Sequence, residues 1–489
     1  MNIHKLSIIL FVICASSCAI LGSDASKKTN DEEFGPGDFW ALRVNDSSWY
    51  RVHSNLVAEG TSCIVYAEKG SSIDEAMGTA IANEYDTNIH AQMLDAFGAI
   101  EDVDGNGKVI LLLLDVKDSY SGGSDPYVGG YFQPDQMRDP ATYQYSNGAD
   151  MLYIDINPQT PNTPAFYATI AHELQHLINY SQTVARKPSA HSIKDTWINE
   201  GLSTAAEYIY AGDPNDRIKY VNYLYNNLLL GTSKDTVKDT FFVWENTLAD
   251  YSTAYLFFQW LRIQAARLNP TVAGSTPYKI YKDILDEPGS NFSAVTNALN
   301  AFAPTAPPLT WAELVRAWFA SNYYYTNTGD IVGYGGDATF RGLIDATISD
   351  VNAVIATQNP SLPSVTALIS PFNSTAAQAD RVNFRGGEGI IACVGTALTS
   401  ASIMGTGSSI EYYSFETSGG VPQIISSYGA PDVLLIVNIS NNNHPTASAA
   451  GIVPIGKPQA SSSFRVTPGA RTADPGFTPR FRSMVDVQF

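Results

Sequence analysis

The sequence predicts an α+β chain: a small sheet first, a mostly helical second half, then a β-rich C-terminal stretch. Three observations carry this. Short apolar runs at Cys63–Ala67, Val109–Val116 and Met151–Ile154 read as strands bounded by turn residues. Apolar residues then recur at helical spacing, with Phe166, Ile170, Leu174, Leu177 and Ile178 forming one stripe within Pro164–Tyr180. From Asn359-Pro360 onward the chain turns to Gly, Ser, Pro, Thr, Ala and Val, and helical periodicity fades.

Each element follows from local signals. A helix is expected from Ser72 to about Ala96. Thr163 can cap the helix that starts at Pro164, because proline suits the first helical position. Residues 164–182 and 195–211 read as helices, followed by Arg217–Leu230, Tyr251–Leu268, Pro277–Asp286, Asn291–Ala301 and Trp311–Tyr325. In the tail, Gly389–Val394, Ser409–Phe415 and Asp432–Ile439 read as strands between turn clusters. The expected division is 34–358 for the α+β unit and 359–489 for a β-rich domain, with a sandwich as its form.

The N-terminus reads as an export signal. Leu6–Ala15 is apolar but too short to span a bilayer. The small residues Ala15-Ser16-Ser17 precede Cys18, which resembles a permissive lipobox. Residues 1–18 are then a lipoprotein-type signal, Cys18 carries the lipid, and 19–33 form a polar tether at the membrane of the cell envelope. The alternative is an ordinary signal peptide and a secreted product.

Composition bounds the rest. A hydrophobic content of 44% supports a sizeable core, and a net charge of −19 disfavours a nucleic-acid partner. The 4 cysteines are too few and too scattered for a disulfide framework. Cys63 and Cys393 read as buried thiols, with a single bridge between them as the alternative.

The chemistry concentrates at His172-Glu173-Leu174-Gln175-His176. Two histidines four apart on a helix stand one turn apart on one face, close enough to grip one Zn²⁺ at roughly 2.0–2.1 Å. Glu173 follows the first of them directly, beside the place where a catalytic zinc would hold water, and can act as general base. With only 7 histidines in 489 residues, chance is a poor explanation for the pattern. A catalytic zinc needs a third protein ligand. Downstream, Thr196–Tyr208 reads as a buried helix in which Glu200 and Glu207 share a face. Two acids on a buried face must be paired or bound to metal. Glu200 is the expected ligand, and Glu207 the expected partner that orients a histidine.

His172–His176 followed by Trp197-Ile198-Asn199-Glu200-Gly201-Leu202-Ser203 resembles the gluzincin metallopeptidases, and more closely the hyicolysin family. The likeness spans roughly Asp102 to Gly335 and includes Asp102–Lys108, Gly129–Phe132 and Met151–Asp155. It implies a zincin-like catalytic domain and hydrolysis of peptide bonds in proteins or peptides by an exported zinc endopeptidase. One departure concerns the 23 residues between His176 and Glu200, a longer spacing than thermolysin's. The extra length falls in the polar stretch Ser181–Lys194, which reads as a loop. The resemblance also implies an oxyanion-stabilising tyrosine on a later helix, for which Tyr251 is chosen and Tyr255 is the alternative.

Asp102-Val103-Asp104-Gly105-Asn106-Gly107 looks like the first half of an EF-hand loop. The twelfth position is Leu113 instead of Glu, so a complete EF-hand is ruled out. Two readings stay open: a Ca²⁺ loop using Asp102, Asp104 and Asn106, or a tight turn entering a strand. The rival to an enzyme is a surface lipoprotein whose β-rich tail acts as an adhesin or binding module.

Overall fold

The computed structural model describes residues 34–123, 127–186, 193–212, 246–305 and 307–323. It also describes Asp125, Arg217, Trp244, Ile331, residues 333–335 and the backbone of seven strands between Ala367 and Ile455. The signal segment with Cys18, His191, the helix expected after Arg217 and the junction at Asn359-Pro360 lie outside the described residues.

A six-stranded sheet is built from β1 (Asp38–Arg43), β2 (Ser48–Glu59), β3 (Cys63–Glu68), β4 (Val109–Leu114), β5 (Gly130–Tyr131) and β6 (Met151–Asp155). Its order is β1-β2-β3-β4-β6-β5. β3, β4 and β6 run parallel, with Cys63 opposite Val109 and Ile110 opposite Met151. β5 closes the edge antiparallel to β6, pairing Gly130 with Ile154 and Tyr131 with Tyr153. All of β4 is buried, as a central parallel strand of Val, Ile and Leu should be. Val109, Leu111 and Leu113 face the helices with Leu152 and Ile154. Ile110, Leu112 and Leu114 join Phe39, Met151 and Tyr153 on the other side.

The helices are α1 (Glu75–Glu84), α2 (His90–Phe97), α3 (Pro164–Tyr180), α4 (Thr196–Ala211), α5 (Leu248–Leu268), α6 (Pro270–Ser275), α7 (Lys279–Asp286), α8 (Phe292–Phe302) and α9 (Trp311–Tyr323). The single helix expected over Ser72–Ala96 is instead α1 and α2, joined by a π-helical turn at Tyr85–Ile89. Asp74 caps α1, so the helix starts after Ser72. Likewise Ser181–Ala185, expected in a loop, continues α3 as a π-helical turn. Ser181 and Thr183 are fully buried there, and the Thr183 hydroxyl donates to Asn179 O at 2.6 Å. Burial therefore holds this polar stretch in helical form.

Asp155 ends β6 and organises the approach to α3. Its carboxylate accepts from the backbone N–H of Val116, Asn157 and Gln159 at 3.0, 3.1 and 3.3 Å. Burial pushes its carboxyl up to about 7. Thr163 then caps α3, accepting from Phe166 N at 3.3 Å, with Pro164 in the first turn.

α4 packs against both α3 and α5, and Gly201 explains how closely. A Cβ there would stand 2.4 Å from Phe258 Cδ2 and 2.5 Å from Phe258 Cε2. The glycine beside Glu200 is thus a packing residue that lets α5 approach. Gly201→Ala is expected to destabilise the fold by about 1–3 kcal/mol, the usual cost of overpacking, measured by urea unfolding. An unchanged midpoint would show that Phe258 can swing away.

The C-terminal strands are β7 (Ala367–Phe372), β8 (Arg381–Gly386), β9 (Ile390–Val394), β10 (Ser400–Ile403), β11 (Glu411–Ser414), β12 (Asp432–Asn438) and β13 (Gly451–Ile455). They form two antiparallel sheets, ordered β10-β9-β12-β7 and β11-β8-β13. Cys63 is a buried free thiol, pushed up to about 12 by desolvation. Among the described residues, no helix is long and apolar enough to cross a membrane.

Candidate metal centre

α3 is amphipathic in sequence yet buried along most of its length, because the sheet lies on one side and α4 on the other. A buried helix must satisfy every polar side chain it carries. α3 and α4 bond several of theirs to each other.

His172 and His176 lie on α3 and Glu200 on α4, and their donor atoms all fall within 4.8 Å of one another. Glu200 Oε2 is 3.5 Å from His172 Nε2 and 3.5 Å from His176 Nε2. Ligands held tetrahedrally at about 2.0–2.1 Å from a zinc ion stand about 3.4 Å apart. The spacing therefore fits a zinc ion.

The tautomers support the fit. His172 Nδ1 is 2.9 Å from Glu207 Oε1, and a carboxylate can only accept, so Nδ1 carries the proton. His176 Nδ1 is 3.1 Å from Asn199 Oδ1, an acceptor that also receives Asn179 Nδ2. Both Nε2 atoms therefore present lone pairs toward Glu200. Three electron pairs aimed at one point repel, and a divalent cation turns that repulsion into attraction.

The bond behind His172 comes from Glu207, as the shared face of the two acids led us to expect, whereas those behind His176 come from residues the sequence left unassigned. Asn199 has just been placed at His176. Ser203 Oγ lies 3.0 Å from the same Nδ1 and donates to Gln175 Oε1. Asn199 and Ser203 are one helical turn apart on the α4 face that meets His176. That spacing was the available signal, but it marks a face without saying what the face meets. Arg217 Nη2 reaches Glu207 Oε1 at 3.4 Å and is itself buried. This pairing supplies the partner that a second buried acid requires.

Glu173 is fully buried on α3 and lies beside β5. A Cβ added at Gly130 would meet Glu173 Cγ at 3.0 Å, Tyr153 O at 2.9 Å and Thr169 Cγ2 at 3.1 Å. The glycine thus lets the edge strand run directly past the carboxylate. His176 is the most open of the ligands, at 9% exposure.

Tyr251 sits at the start of α5, where Thr247 and Asp250 cap each other's backbone. It is buried, and its hydroxyl donates to Asn246 Oδ1 at 3.0 Å. Arg217 lies over its ring, 5.6 Å from the centroid. Tyr251 is thereby joined to the centre through Arg217 and Glu207. Tyr255 is buried one turn further on, its ring 6.2 Å from that of Tyr208.

A sheet thus leads into a helix with two inward histidines, and a glutamate from the next helix completes a group that could hold a metal ion. No family model matches the chain. It is similar to the neutral metalloprotease ShpI of Staphylococcus hyicus, with 27% identity over 353 residues that cover 70% of this chain and 74% of the relative. The resemblance to zinc metallopeptidases of the hyicolysin kind therefore extends well beyond the two motifs.

Proposed function

We propose that this chain is a zinc-dependent endopeptidase that cleaves peptide bonds in proteins with Glu173 as general base. The observation that carries the reading is the convergence of His172, His176 and Glu200, with the Glu173 carboxylate buried on the same helix. The likeness to a named metalloprotease supports the same activity.

His172, His176 and Glu200 would hold the ion, which when bound supplies Lewis acidity to a water and to the scissile carbonyl. Glu173 takes the proton of the attacking water and later delivers it to the departing amine. Tyr251 is assigned to donate to the oxyanion, which requires its hydroxyl to leave Asn246. Glu207 and Asn199 keep the two imidazoles in the tautomer that ligation needs.

With this reading go three assignments that rest on the sequence: export through residues 1–18, a lipid on Cys18, and a β-rich domain over 359–489. The test pairs metal analysis by plasma mass spectrometry with casein hydrolysis. About one zinc per chain is expected, with cleavage lost on chelation and restored by added zinc. Folded protein without zinc, or cleavage indifferent to chelator, overturns the proposal.

A further inference from the structure

A buried cation stands behind the metal centre. Arg217 is 4% exposed and touches two groups of the site that do not touch the ion. On one side its Nη2 reaches Glu207 Oε1 at 3.4 Å. The same oxygen accepts from His172 Nδ1 at 2.9 Å. On the other side its guanidinium carbon lies over the Tyr251 ring, 5.6 Å from the centroid, within the range of a cation–π contact. Glu207 and Tyr251 are themselves buried, at 2% and 3% exposure.

The two contacts call on different properties of one side chain. A guanidinium is planar and carries five donors in a fixed fork, so it can bond a carboxylate and stack on an aromatic ring. An ammonium is a compact point charge on a flexible stem. A cation this deeply buried is held by its partners and holds them in turn. Tyr251 is also braced by Trp244, whose ring meets it edge-on at 4.9 Å. Its ring therefore has Arg217 and Trp244 as neighbours, while its hydroxyl rests on Asn246 at 3.0 Å.

We propose that Arg217 is a positioning residue that couples the metal ligand His172 to the oxyanion donor Tyr251. This rests on the zinc-peptidase reading and deepens it. His172 is on α3 and Tyr251 on α5, with α4 packed against both and carrying Glu207. One guanidinium fixes the carboxylate that holds His172 and the ring that carries the Tyr251 hydroxyl. The zinc ligand and the group assigned to the tetrahedral intermediate thus keep one relative geometry. Such a link matters because a misplacement of about 1 Å at a reacting centre costs about 100-fold in rate.

The test is a pair of double-mutant cycles on the full chain, one read in zinc affinity and one in kcat. Competition of the apoprotein against a chromogenic chelator is expected to show zinc affinity about tenfold weaker in Arg217→Met, the low end for residues that support a ligand. In a Glu207→Gln background the same substitution should weaken it less than about twofold, because the link to His172 is already cut. With zinc saturating, kcat on casein is expected to fall about 100-fold with KM unchanged. Little further loss should follow when Tyr251→Phe is already present. A substitution that merely loosened the fold would add its effect in both backgrounds. Arg217→Lys keeps a cation in place and decides if Arg217→Met fails to fold. It should hold zinc nearly as tightly as wild type and still lose kcat, since a point charge cannot bond the acid and cover the ring at once. Additive effects in either cycle, wild-type behaviour of Arg217→Met, or wild-type kcat in Arg217→Lys overturns this proposal alone. Wild type that binds no zinc overturns the peptidase reading, and this inference with it.

Discussion

Glu173→Gln is expected to lose about three orders of magnitude in peptide hydrolysis, within the range for removing a general base. It should still bind one zinc per chain. The substitution is isosteric and keeps a polar group in the same buried place, so the fold is not at risk. Its carboxylate is not among the converging donor atoms, whereas those of His172, His176 and Glu200 are. Casein hydrolysis and plasma mass spectrometry on one sample separate the two roles. Loss of zinc would make Glu173 a ligand, and near-wild-type hydrolysis would remove it from the mechanism.

Glu200→Gln addresses the other half of the assignment. Glu200 Oε2 stands 3.5 Å from both Nε2 atoms, so its loss removes one of three ligands together with the anionic charge. Zinc affinity is expected to fall more than about 100-fold, beyond the 10–100-fold that losing a hydrogen-bond partner of a ligand costs. Glu207→Gln is the comparison, because Glu207 bonds the Nδ1 face of His172. Competition against a chromogenic chelator reads both. If Glu207→Gln proves the weaker binder of the two, the ligand assignment is reversed.

Much of this centre was legible in the sequence because its chemistry is local. His172 and His176 are one turn apart, the apolar stripe marks the helix, and Thr163-Pro164 marks its start. Glu200 followed from the ligand count and the resemblance. Glu207 was legible behind His172 as the second acid on the Glu200 face, but the groups that bond His176 from behind were harder. Asn199 and Ser203 are ordinary polar residues whose partners belong to another helix, and no spacing in their own helix names those partners. β5 was missed for another reason: at two residues it is too short for alternation to show. The π-helical turns escaped notice because they interrupt a helix without changing which residues are apolar.

The bonds between α3 and α4 have a consequence for how a metal would be received. His172 is held by Glu207, His176 by Asn199, and Gln175 by Ser203, all through contacts that need no ion. The imidazoles have thus surrendered their rotational entropy before metal arrives, and little binding energy is spent on ordering them. On the zinc reading α4 serves as a mould for the α3 imidazoles, so metal affinity would depend on residues that never touch the ion.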